Sequence, residues 1–160
     1  MSDVRVFIEK VLFDPKVGAS VMLLKEHEGD RLLPIWIGQS EALSIAMALE
    51  NIRLPRPMTH DLMSSILEKL DVSVSWVRIH DLNDGTFYAA LRLSIDGSET
   101  DIDSRPSDAI AVALRTGAPI FVLDSIMEES SQTDSDGPID SIDEDFLSEL
   151  PDDVFGKYKM

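Results

Sequence analysis

Three carboxylates and a guanidinium crowd into Asp101-Ile102-Asp103-Ser104-Arg105-Pro106-Ser107-Asp108. Asp101 and Asp103 are two positions apart, so on a strand they point to one face while Ile102 points to the other. Ser104 and Pro106 favour a helix start, and Asp108 falls in the first turn, where the helix dipole favours an anion. The stretch reads as a strand running directly into a helix. Arg56-Pro57-Met58-Thr59-His60-Asp61 repeats the theme, with an Arg-Pro ahead of a helix start and an aspartate soon after. Free N–H groups at a helix N-terminus suit a phosphate, and arginine adds a two-pronged donor. On this reading Arg56, Thr59, Arg105 and Ser107 hold phosphate. Asp101 and Asp103 ligate a divalent metal or orient water, and His60, Asp61 or Asp108 handles protons. These are the parts of a metal-assisted phosphodiesterase. A structural reading stands beside it. An aspartate at a helix start is commonly a cap or dipole partner, Arg105 could simply pair with Asp103 or Asp108, and alternating polar residues on a strand mark a solvated face.

The elements that must position these residues follow from periodicity. Val4, Val6 and Ile8 alternate with polar residues, then Val11 and Phe13 continue in the opposite phase, which predicts one long strand with a bulge. Further strands are expected over 19–24 and 32–37, the latter with Pro34 marking an edge or a bulge. A helix is expected over 39–50. A second helix, N-capped by Thr59, should run through Leu70 with an apolar stripe of Leu62, Met63, Ile66, Leu67 and Leu70. A strand from Val72 to His80 leads into a hairpin turn over 81–85, and Phe87 to Ile95 is the clearest alternating strand of the chain. Asp96-Gly97 turns it, Glu99 to Asp103 returns, a helix ends at Gly117, and 118–123 is a last strand. A spacing of 67 maps Asp14 onto Asp81, Gly18 onto Gly85 and Ser40-Glu-Ala-Leu onto Ser107-Asp-Ala-Ile. The predicted class is therefore α+β. Duplicated β-β-β-α units form a curved, mainly antiparallel, barrel-like sheet of six or seven strands covered by helices, with the helix at 59–70 inserted between the copies.

The chain of 160 residues carries 30 acidic and 14 basic residues and no cysteine, which excludes disulfides and thiolate metal sites. From Asp124 onward there are 12 acidic and two basic residues. An acidic balance argues against loose electrostatic binding to nucleic acid but leaves room for a small site that grips phosphate locally. The expected organisation is a domain over 1–124, an acidic flexible linker over 125–138, and a short amphipathic helix with a tail over 139–160. That helix carries Ile142, Phe146, Leu147 and Leu150 on one stripe, fit for a protein partner. No signal-peptide pattern and no long apolar run is seen, so the expected location is the cytoplasm, away from membranes. Open sheet edges suggest a homodimer.

Leu33-Pro-Ile-Trp-Ile-Gly38 with Glu41-Ala42, Arg56-Pro-Met-Thr-His-Asp-Leu62, Thr86-Phe-Tyr-Ala89, and Asp101 through Arg115 followed by Ala118-Pro-Ile-Phe-Val122 form a set of motifs in order. Together they resemble the bifunctional nuclease domain family. The likeness runs from about Val4 to Val122. It implies a compact α+β domain with nuclease activity on DNA and RNA. Combined with the acid-and-arginine cluster, it gives the expectation of phosphodiester hydrolysis assisted by Mg²⁺ or Mn²⁺. The matching polar positions are Arg56, Thr59, His60, Asp61, Asp101, Asp103, Arg105, Ser107 and Asp108. The alternative is a non-catalytic binding or regulatory module for a protein partner or a small phosphorylated ligand.

Overall fold

The computed structural model of the chain describes residues 2–14 and 18–133. The expected C-terminal helix and tail over 139–160, and the part of the expected linker after Thr133, lie outside the described residues. The elements in order are β1 (Asp3–Asp14), β2 (Ala19–Glu26), β3 (Arg31–Ile37), α1 (Gln39–Leu49), α2 (Thr59–Lys69), β4 (Ser73–Asn83), β5 (Thr86–Ile95), β6 (Ser98–Ser104), α3 (Pro106–Thr116), β7 (Ile120–Leu123), α4 (Asp124–Ser130) and β8 (Gln132–Thr133). The duplication is visible directly: β1-β2-β3-α1 and β4-β5-β6-α3 are two copies of one unit, and α2 lies between them in sequence.

The fold is α+β. One sheet of eight strands runs in the order β6-β5-β4-β7-β1-β2-β3-β8 and stays open, ending on β6 and the two-residue β8. Every pairing is antiparallel except β4 with β7. Strand β7 joins the two copies, pairing with β1 on one side and β4 on the other. The change of apolar phase in β1 is a bulge, where the register passes from Ile8↔Leu24 to Lys10↔Leu23. Pro34 pairs with Leu23 on one side and lies beyond the short reach of β8 on the other, where a missing N–H costs no ladder bond.

The β4–β5 turn is tighter than the expected 81–85. Asn83 pairs with Thr86, leaving only Asp84 and Gly85 at the tip, both at positive φ (51° and 76°). A two-residue turn with both φ positive matches the twist of antiparallel strands, so pairing extends right up to it.

Helices α1 and α3 pack against each other and the sheet over one core. Ala42 and Ala46 of α1 and Ala109, Ala111 and Ala113 of α3 are buried there with Leu43, Ile45, Ile110 and Val112. Small side chains let the two helices approach closely. Gly117 takes the left-handed conformation (φ 76°) that ends α3, as its position predicts.

Two expectations are corrected, the N-cap of α2 and the start of the linker, and the placement of the α2 stripe is a further finding. The N-cap of α2 is Met58, and Thr59 is the first helical residue; the Met58 N–H donates to Asp61 Oδ2 at 3.0 Å, so the aspartate serves the helix start in place of the threonine hydroxyl. The apolar stripe of α2 does not face the core. Leu62, Ile66 and Leu70 are 52%, 48% and 68% exposed, Met63 is exposed too, and only Leu67 of the stripe packs inward. The helix is instead rotated to bury His60, whose ring bonds are described below. Lastly, the acidic stretch assigned to the linker over 125–138 begins with α4. Ile126 and Met127 are buried in the main core, and Asp124 at the helix start is bound by Arg31 at 3.1 Å. Two apolar residues in seven show no periodicity in sequence, yet a single turn aimed at the core is enough to dock them. Among the described residues no helix is long and apolar enough to cross a membrane.

Candidate active site at three helix N-termini

The first turns of α1, α2 and α3 converge on one open cleft of about 530 Å³. Helix α1 contributes Ser40, Glu41 and Ser44, α2 contributes Thr59 and His60, and α3 contributes Asp108 with its N-cap Arg105. The connection between α1 and α2 closes the rim with Leu54, Arg56, Pro57 and Met58. Three N-termini facing one space concentrate unpaired N–H groups and positive dipole ends there, a setting for an anion. Pro106 at the start of α3 holds the helical φ and has no N–H to leave unsatisfied.

A continuous chain of hydrogen bonds crosses the floor of the cleft. Arg115 Nη2 donates to Ser44 Oγ at 3.0 Å. Ser44 Oγ lies 2.6 Å from His60 Nδ1, and His60 Nε2 lies 2.9 Å from Asp108 Oδ1. Asp108 Oδ2 accepts from Arg105 Nε at 2.8 Å, and Arg105 Nη2 reaches Glu41 Oε1 at 3.0 Å. Ser44 and His60 are buried at 2% and 7% exposure, whereas the Arg105 side chain is 64% exposed. The chain thus runs from the interior to the solvent side of the cleft. Burial opposes the charge on Asp108, but hydrogen bonds from Arg105 and His60 outweigh it and hold the carboxyl below its ordinary value. Its partners Asp108 and Glu41 raise Arg105 above the usual guanidinium value.

Arg56 stands on the rim, exposed, with no ion pair among the described residues. It is the free guanidinium of the site, available to a phosphate as a planar two-pronged donor.

The structure brings together some of the residues expected from sequence and separates others. Arg56, Thr59, His60, Arg105 and Asp108 all line the cleft. Ser107 is buried at the start of α3 and is not part of the lining. Asp61 points behind the cleft to Arg115, whose Nε donates to Asp61 Oδ1 at 2.7 Å. There too burial opposes the charge, and the bonds from Arg115 and the Met58 N–H overcome it to lower the Asp61 pKa. Asp101 and Asp103 are exposed on edge strand β6 and take no part in the cleft lining. Asp101 is bound by Arg92 through Nε at 2.7 Å and Nη2 at 2.9 Å, and the Arg92 guanidinium lies 4.4 Å from the Trp76 ring centre. Both carboxylates lie on an exposed strand face, and Asp101 makes a cross-strand salt bridge. Among the described residues no group of three or more His, Cys, Asp or Glu is placed to hold a metal ion. The expected Mg²⁺ or Mn²⁺ site at Asp101 and Asp103 therefore does not fit the residues present, because Arg92 already occupies one of the two carboxylates.

Glu41, Ser44 and Arg115 were not among the site residues expected from sequence. A signal for Glu41 existed: the spacing of 67 maps it onto Asp108, and the two carboxylates bind the same Arg105. Ser44 and Arg115 look like ordinary helix residues in sequence, and only tertiary packing brings them together.

An α+β domain with an open polar cleft at joined helix N-termini is a class that many proteins share. Comparison with known sequences narrows it. The family model for the bifunctional nuclease domain matches residues 22–135, and the chain belongs to that family. An uncharacterized protein of Mycobacterium tuberculosis is 42% identical over 139 residues, covering 87% of this chain and 80% of its own. Bifunctional nuclease 1 of Oryza sativa subsp. indica is 34% identical over 106 residues, 64% of this chain and 32% of its own. Bifunctional nuclease 2 of Arabidopsis thaliana is 32% identical over 107 residues, with the same two shares. The chain thus spans about a third of the length of these plant relatives.

Proposed function

We propose that the chain is a nuclease that hydrolyses phosphodiester bonds in DNA and RNA at the cleft between α1, α2 and α3. The observation that carries this reading is the His60–Asp108–Arg105 chain, which opens beside the unpaired Arg56. Family membership supplies the nuclease class. Arg56 and the outer face of Arg105 grip the phosphate, with the hydroxyls of Ser40 and Thr59 at the same rim. Because DNA has no 2′-hydroxyl, a mechanism common to both polymers cannot use that group, and water is the attacking group in this reading. Water adds to phosphorus, its proton passes to the His60–Asp108 pair, the bond to the leaving oxygen breaks, and that oxygen takes a proton from solvent. The guanidinium groups stabilise the charge that builds on the phosphate oxygens.

The test is turnover of labelled single-stranded DNA and RNA by purified protein, in Mg²⁺, Mn²⁺ and EDTA, set beside Asp108→Asn. Turnover by the wild type that is lost in a folded Asp108→Asn protein supports the reading. Equal turnover in both moves the chemistry elsewhere.

A second reading has its own observation. Both ring nitrogens of His60 already have partners and the ring is 7% exposed, which suits a cleft that binds a phosphorylated ligand without transforming it. No turnover, combined with a rise in melting temperature on adding nucleotides, would favour this reading.

A further inference from the structure

We infer that Ser44 and Arg115 are positioning residues that lock His60 as its Nε2–H tautomer, so that His60 acts through Asp108 and Asp108 is the group that meets the attacking water. The inference rests on the nuclease reading for its last clause and on geometry alone for the rest.

The two ends of the hydrogen-bond chain dictate where the protons are. Arg115 can only donate, so its 3.0 Å contact makes Ser44 Oγ an acceptor there. The one proton of the serine hydroxyl is then free to be donated at 2.6 Å to His60 Nδ1, and in the inferred arrangement Nδ1 offers the lone pair. At the other end, the Asp108 carboxylate is held by the Arg105 guanidinium and can only accept, so His60 Nε2 must carry the hydrogen. The Nε2–H tautomer satisfies both ends at once. A ring with Nε2–H already bonded to a carboxylate has no lone pair facing the cleft, so it cannot take a proton from water there. What it can do is fix Asp108 Oδ1, as the other ring nitrogen does for ligands in metal and triad sites. Asp108 lines the cleft, and a carboxylate with one bond to each oxygen keeps acceptor capacity for a water.

Arg115 is suited to the task because it is itself immobilised. Its Nη1 donates to Ala111 O at 2.9 Å, its Nε to Asp61 at 2.7 Å, and its Nη2 also to Ser44 O at 3.2 Å. One guanidinium therefore ties α1, α2 and α3 together directly beneath the cleft.

The test uses the full chain and two readouts. Imidazole ¹⁵N NMR at neutral pH, with the His60 signals assigned by their loss in His60→Gln, reports the tautomer whether or not the protein turns over. A protonated Nε2 with a bare Nδ1 is expected; a bare Nε2, or a ring protonated at both nitrogens, overturns the inference. Kinetics separate positioning from proton transfer. His60→Ala is expected to lower kcat on the order of 10- to 100-fold, a typical cost of losing an orienting hydrogen bond. His60→Gln, whose amide N–H can reach Asp108, is expected to recover most of that loss, and Ser44→Ala to lower kcat with KM little changed. Folded His60→Gln as inactive as His60→Ala would make the imidazole itself the base and overturn the inference. If the wild type shows no turnover, the nuclease reading fails while the NMR result still decides the tautomer.

Discussion

His60 Nε2 and Asp108 Oδ1 stand 2.9 Å apart although 48 residues separate them, and this bond joins the first turn of α2 to the first turn of α3. It also accounts for the rotation of α2. A helix free to choose would bury Leu62, Ile66 and Leu70; this one buries His60 and leaves those three in water. Hydrogen bonds between buried polar groups are directional, and leaving a buried donor or acceptor unpaired costs about 1–3 kcal/mol, which favours turning the His60 face of α2 inward.

Asp108→Asn is expected to lower kcat by about 10²- to 10⁴-fold, the usual worth of a positioned acid–base group. Asp103→Asn is expected to leave kcat and KM unchanged, because Asp103 lies on exposed edge strand β6 outside the cleft. Steady-state turnover of a labelled oligonucleotide by the two variants, with circular dichroism to confirm folding, tells the sites apart. Loss of turnover in Asp103→Asn would return the chemistry to the end of β6.

Arg56→Ala is expected to raise KM with a smaller effect on kcat and to leave stability within about 0.5 kcal/mol, as for other surface substitutions. The reason is that Arg56 is exposed and has no ion pair to lose among the described residues. Urea unfolding and a saturation curve on the same preparation check both halves.

Arg115→Met is expected to destabilise the domain by about 1–3 kcal/mol. Its side chain is 11% exposed, and removal leaves Ser44 O, Ala111 O and Asp61 short of a donor. The value is kept low because Asp61 is 40% exposed and water can replace part of the loss. A double-mutant cycle with Asp61→Asn should show coupling between the two, read from urea midpoints.

Stability should also fall in acid through the same carboxylates. Asp61 and Asp108 have folded pKa values below the ordinary 3.8. Their contribution is fully present above that unfolded value, declines as pH falls through it, and is gone once pH passes below the folded values. Melting temperatures measured from pH 6 to pH 2 should drop more steeply for the wild type than for Asp61→Asn or Asp108→Asn. Parallel curves would mean that the two carboxylates titrate alike in folded and unfolded chains.

The sequence by itself determined the α+β class, the duplication and most strands and turns, because these depend on local rules. Alternation with period two marked β5, a phase change marked the bulge in β1, and Gly117 marked the end of α3. It also marked Arg56, His60, Arg105 and Asp108, because an Arg-Pro ahead of a helix start followed by an acid is a local pattern. Tertiary structure alone decided what those residues do to one another. Asp101 and Asp103 matched a metal site by spacing, yet Arg92 on the neighbouring strand claims Asp101. Ser44 and Arg115 carried no pattern and meet at and beneath the floor of the cleft because α1 and α3 pack side by side. The exposure of the α2 stripe and the docking of α4 were decided by tertiary structure for a related reason. Periodicity reports which faces a helix could bury, whereas the choice among them is made by partners distant in sequence, here Asp108 and Ser44 for His60 and the core for Ile126 and Met127.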